Sequence, residues 1–136
     1  MTSTPTPRRI AHLRAGGTSV VLDLDAAALP AIVHWGRDLG AVDHAALEAL
    51  ALAATPQRVS GGVDRPARLT VLPQASDGWL QTPGLAGHRS GRGFSSALTT
   101  HDATVGECEA TIVARDQESG LEAELRLELT DHGVLR

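Results

Sequence analysis

Leu121-Glu122-Ala123-Glu124-Leu125-Arg126-Leu127-Glu128-Leu129 is the stretch that decides the fold. Apolar and charged residues alternate along it without a break, so one face is aliphatic and the other is charged. A period of two is that of an extended strand, with one face buried against a second layer and the other solvated. Immediately upstream, Cys108-Glu109-Ala110-Thr111-Ile112-Val113-Ala114-Arg115 alternates in the same way. The turn-forming run Asp116 to Gly120 separates the two, which predicts a pair of antiparallel strands. In this reading Cys108 is a small buried hydrophobe within a strand, and the pairs Glu107/Glu109 and Glu122/Glu124 are solvent-facing.

The amino-terminal part repeats the habit. Arg9-Ile10-Ala11-His12-Leu13-Arg14, a Gly16-Gly17 turn and Thr18-Ser19-Val20-Val21-Leu22-Asp23-Leu24 read as a hairpin. Pro30-Ala31-Ile32-Val33-His34-Trp35 is a third strand that ends at Gly36, so three antiparallel strands follow one another. Asp43 to Ala54 departs from this pattern. Asp43 can cap a helix, and the Leu and Ala content that follows favours one short helix stopped by Pro56. From Thr55 to Arg92, clusters such as Ser60-Gly61-Gly62, Asp77-Gly78, Pro83-Gly84 and Ser90-Gly91 predict a long loop region. Loops of this length carry function or an interface more often than they carry core. The fold class that results is all-β, a part of a sandwich with one short helix and long loops. Met1 to Arg8 is expected to be a disordered lead and residues 9–136 to be the domain.

Composition narrows the function. With 136 residues, 42% hydrophobic and 21% charged, the chain has the size of one domain. A net charge of −4, with Arg and acid interspersed, argues against nucleic acid, which requires a clustered basic surface. Cys108 is the only cysteine, so an intrachain disulfide and a thiolate metal cluster are both excluded, and a reducing cytoplasm is the expected compartment. No apolar run is long enough for a signal peptide or a membrane span.

The chemistry-bearing residues are sparse. The six histidines (His12, His34, His44, His88, His101 and His132) are dispersed and show no ligand spacing, so neither a metal nor another cofactor is expected. His34, beside Trp35, reads as a hydrogen-bonded core or interface residue. There is no Gly-x-Ser-x-Gly elbow, and no carboxylate pair is placed for glycoside hydrolysis, so no catalytic residue is expected in this chain. The Gly84 to Gly93 tract lacks the Lys-Ser/Thr ending and the helix of a phosphate loop. The remaining candidates are Asp77 and Trp79, with His88 and Arg89 nearby in the loops. A flat aromatic beside a carboxylate and a guanidinium suits sugar hydroxyls.

Several segments, in order, resemble the amino-terminal domain of glycoside hydrolase family 36 α-galactosidases. They are Pro30-Ala31-Ile32-Val33-His34-Trp35-Gly36-Arg37-Asp38-Leu39-Gly40, then Leu72-Pro73 with Asp77-Gly78-Trp79, then Thr82-Pro83-Gly84-Leu85-Ala86-Gly87-His88-Arg89. In the last of these Thr82 stands where the family pattern has Arg. The run Asp116 to Leu129 continuing into Val134-Leu135-Arg136 is similar to the family's paired strands. The resemblance implies the first part of a β-supersandwich, a non-catalytic domain that packs on the parent enzyme's own (β/α)8 barrel. It further implies a retaining hydrolase acting on terminal α-linked galactose in oligosaccharides. The two catalytic aspartates belong to the barrel, so the intact parent is an enzyme while the 136-residue chain alone is expected to be inactive. Asp77, Trp79, His88 and Arg89 are then the candidates for substrate contact, with the galactose-containing oligosaccharide and the barrel as partners, a homo-oligomer as a further family feature, and no nucleic acid or membrane. The acidic residue that some tetrameric members supply to the active site is not carried over to Asp43 or Glu48. The alternative is a freestanding carbohydrate-binding or interaction module built on the same sandwich.

Overall fold

In the computed structural model of the protein, residues 8–24, 27–62, 67–88 and 90–136 are described. The expected disordered lead lies outside these residues except for Arg8, which is held in place. Its backbone amide donates to Glu48 Oε1 at 2.9 Å, and its guanidinium lies 3.5 Å from Asp23.

The chain builds two three-stranded antiparallel sheets, each a meander. The first contains β1 (Ile10–Ala15), β2 (Thr18–Asp23) and β3 (Ala31–Arg37), and the second contains β4 (Thr99–Val105), β5 (Glu109–Asp116) and β6 (Leu121–Glu128). Gly16 and Gly17, with φ of +55° and +72°, turn the first hairpin, because both central positions of this tight two-residue connection need the left-handed region. The expected hairpin and third strand are both present, and β3 runs past Gly36 to Arg37 with a bulge opposite Val21/Leu22. α1 (His44–Ala53) begins where Asp43 accepts from the Ala46 amide at 2.8 Å, the capping role read from the sequence. It lies against β1 and buries Leu47 and Ala51.

The sheets meet face to face. Ala11, Leu13, Val20, Leu22 and Leu24 from the first join Ala103, Ala110, Ile112 and Leu129 in one buried cluster. A second cluster places Leu29 and Leu98 against Ala114. Each such large aliphatic side chain contributes roughly 1.5–3 kcal/mol on burial. The exposed pairs on the outer face of the second sheet, Arg115–Glu122 and Arg126–Glu124, are worth about 0–1 kcal/mol each. Apolar packing therefore decides how the sheets associate.

The structure departs from the sequence reading in three places. Cys108 is exposed and precedes β5 in the tight turn after β4, so it is not a buried strand residue. The alternation stops one residue short because the backbone there turns, with the Gly106 amide donating to Glu109 O at 2.8 Å. β4 was not anticipated, since Thr99-Thr100-His101-Asp102-Ala103-Thr104-Val105 shows no clean apolar alternation. It is a strand because it completes the sheet alongside β5, with a bulge between Thr100 and Asp102. Finally, Asp77 lies in a short 3-10 turn (Ala75–Asp77), and Thr70 bridges to Ala31, so the long loop region is tied to the sheet at its centre.

Candidate functional site

The loop region between residues 69 and 98 is organised by one side chain. Gln74 is fully buried, and its amide pairs with the Leu98 backbone in the manner of a neighbouring strand. The Leu98 amide donates to Oε1 at 2.8 Å and Nε2 donates to Leu98 O at 2.9 Å. These two partners fix which end of the amide is oxygen. Nε2 also donates to Asp77 at 3.1 Å, and the Gln74 carbonyl accepts from the Asp77 and Trp79 amides at 3.1 and 3.3 Å. Gln74 thus sets the turn that presents Asp77 and Trp79, a role for which the sequence carries no signal beyond a lone polar residue after Leu72-Pro73.

Trp79 is half-buried, and its indole N–H donates to Thr82 O at 3.1 Å. The following stretch folds back on Leu72-Pro73, where the Gly84 amide donates to Pro73 O at 2.8 Å. A Cβ at Gly84 would come within 2.6 Å of a Leu72 side-chain methyl, which would have to shift to make room. His88 is exposed, and its Nδ1 accepts from the Gly91 amide at 3.2 Å. The neutral ring then carries its proton on Nε2, which is left as an outward donor.

An open hollow of about 200 Å³ is lined by Leu85, His88, Phe94, Ser96, Ser119 and Leu121, among others. Phe94 is 78% exposed and forms an aromatic wall. The four sequence candidates are therefore not gathered at one cavity. His88 lines the hollow, Asp77 and Trp79 do not, and Arg89 lies outside the described residues. Beside it, Asp116 is buried and gathers Ser119 Oγ at 2.7 Å, the Glu118 amide at 3.0 Å and the Ala97 amide at 3.2 Å. These donors, the Ser119 hydroxyl foremost, hold its carboxyl below the ordinary range.

A second polar cluster lies on the outer face of the first sheet, at the motif that follows β3. Asp38 accepts from Arg14 Nε and Nη2, both at 2.8 Å, from Ser19 Oγ at 2.8 Å and from the Gly40 amide at 3.1 Å. The Arg14 fork, ahead of Ser19 and Gly40, keeps its carboxyl well below the usual carboxylate range. Because the Ser19 hydroxyl donates to Asp38, its oxygen accepts from the Leu39 amide at 3.0 Å and from His12 Nε2 at 2.9 Å. The histidine is thus the donor, the reverse of what a base activating a serine requires. Burial, ahead of the neighbouring Arg14, holds the His12 pKa below its ordinary 6.5. The cluster fastens β1, β2 and the Asp38-Leu39-Gly40 turn together, and the sequence reading did not single out Arg14 or Ser19. His34, expected in a core or interface, is half-buried and donates from Nε2 to Arg37 O at 3.1 Å. Trp35 next to it is 58% exposed.

Among the described residues, no three His, Cys, Asp or Glu side chains are close enough to share a metal ion, and no helix is long and apolar enough to cross a membrane. Comparison with known families matches residues 28–136 to the Glycosyl hydrolase family 36 N-terminal domain. No curated protein and no solved structure matches the chain.

Proposed function

The chain belongs to the N-terminal domain family of glycosyl hydrolase family 36, an accessory domain of a glycoside hydrolase, and from that premise we propose that it serves a retaining α-galactosidase. The observation that carries the membership is the family match across residues 28–136, most of the chain, which takes in β3, α1 and the whole second sheet. In this reading residues 9–136 are the first part of the amino-terminal sandwich, and the domain packs on the catalytic barrel and borders the pocket. The loops between residues 69 and 98 are its substrate side, with Asp77, Trp79, His88 and Arg89 near the terminal galactose. Two observations support that choice of side: the outward Nε2 donor of His88, and the open hollow walled by Phe94.

The test is the substrate range of the native gene product on chromogenic α-galactoside, β-galactoside and α-glucoside. Turnover is expected on the α-galactoside alone, with net retention at the anomeric carbon, and none is expected from the isolated 136-residue chain. Hydrolysis confined to another linkage would remove the galactosidase reading while leaving the family assignment intact.

A further inference from the structure

The loop that leads into β4 carries an exposed aromatic ring between two hollows. The hollow beside His88, of about 200 Å³, and a second of about 170 Å³ bordered by Ser95, Asp116 and Glu118 have Gly93, Phe94 and Ser119 in common. Phe94 is therefore a wall that both compartments share. The chain reaches it through left-handed backbone: Gly91 and Gly93 have φ of +77° and +63°, and Ser90, at +51°, is the one non-glycine with positive φ among the described residues. Backbone of that kind gathers at ligand-binding loops more than in scaffold.

The polar groups around Phe94 have fixed directions. His88 Nδ1 accepts from the Gly91 amide, so Nε2 of the neutral ring is a free donor. Ser119 commits its proton to Asp116, and its oxygen is left as an acceptor that the Leu121 amide, at 3.3 Å, only half occupies. Asp116 is buried and held by four donors, so it cannot turn away. The Glu118 carboxylate and the Ser95 and Ser96 hydroxyls have no partner among the described residues. No residue bordering either hollow is Arg or Lys. An anion, which only accepts, would meet two carboxylates and the acceptor of Ser119, and a cation would leave the His88 donor unused. A hydroxyl both donates and accepts, and a pyranose adds a flat C–H face for the exposed ring.

We infer that the two compartments hold two consecutive units of a neutral oligosaccharide, one in each, with Phe94 between them. His88 donates to a hydroxyl of the first unit, and Glu118 accepts from a hydroxyl of the second. The inference rests on the reading of these loops as the substrate side but not on galactose, since any hexopyranose meets the same requirements.

The experiment is an amide NMR titration of the 136-residue chain with melibiose, maltose and methyl α-galactopyranoside as probes. The disaccharides are expected to shift Gly93, Phe94 and Ser119 saturably, with Gly87 in one compartment and Glu118 in the other moving together. The monosaccharide should bind at least about tenfold more weakly. Phe94→Ala should weaken disaccharide binding at least about tenfold and leave the thermal melt unchanged, because the side chain is exposed. Should that variant not fold, Glu118→Gln, on an exposed side chain, must still weaken binding. Binding of one disaccharide alone supports the inference and adds a linkage preference. The absence of a saturable shift with either would overturn it, as would shifts confined to one compartment or an unaltered affinity in Phe94→Ala. Shifts that grow with protein concentration and without sugar would also overturn it, since the occupant would then be a second copy of the chain. The galactosidase reading fails separately, on turnover by the native gene product, and its failure leaves this binding in place.

Discussion

Replacing Gln74 by leucine removes a group of nearly the same size whose value lies in what it satisfies. Gln74 is fully buried, and its amide supplies both partners of the Leu98 backbone, which is itself 1% exposed. Leucine keeps the apolar stem and leaves the Leu98 N–H and C=O without partners, and each such orphan costs about 1–3 kcal/mol. The Asp77 carboxylate loses a donor as well, but it is partly exposed and recovers water, so its share is small. The expected loss is therefore about 2–6 kcal/mol. At roughly 4 °C per kcal/mol for a domain of this size, the midpoint of thermal unfolding should drop by roughly 8–24 °C. Urea and thermal melts followed by circular dichroism measure this directly. Gln74→Glu should destabilise as well, because it puts a carboxylate against Leu98 O and Asp77. A loss below about 1 kcal/mol in the leucine variant would refute the reasoning, since surface-like substitutions fall in that range. It would mean that Leu98 is satisfied from elsewhere and that Gln74 does not hold the loops.

Two further expectations concern acid and the turn glycines. His12 titrates below its ordinary 6.5 in the fold, so the unfolded chain takes up that proton first, and stability should begin to fall as pH drops through 6.5. Asp38 and Asp116 lie below their ordinary 3.8, so their contribution is complete above that pH and is lost as pH falls beneath it; urea midpoints measured against pH should show both stages, and Asp38→Asn should flatten only the lower one. Gly16→Ala should destabilise far more than Gly17→Ala. Both have positive φ, which costs about 1–2 kcal/mol for alanine. Only at Gly16 would the new methyl also meet backbone, within 2.5 Å of the Asp131 carbonyl oxygen, whereas the space beside Gly17 is open. Equal melting points for the two variants would show that the contact between the two turns is dispensable.

By itself the sequence determined what depends on near neighbours in the chain. The strict alternation of β6 names its buried face, the Gly16-Gly17 pair names a hairpin, and Asp43 names the start of α1, because backbone geometry and capping act over a few residues. The motif stretches around Trp35-Gly36-Arg37-Asp38 and Pro83-Gly84-Leu85 are also legible, although their physical work is not. Only the tertiary structure decided which distant partners meet. Asp38 becomes a fastening because Arg14 and Ser19 reach it from β1 and β2, and Gln74 becomes the anchor of the loops because Leu98 lies opposite it. β4 is a strand although its own residues lack the pattern, since the open side of β5 supplies hydrogen bonds that its sequence does not advertise. The candidate loop residues separate for the same reason, His88 lining the hollow and Trp79 standing outside it, because long-range packing fixes where a loop points while composition fixes only that it is a loop.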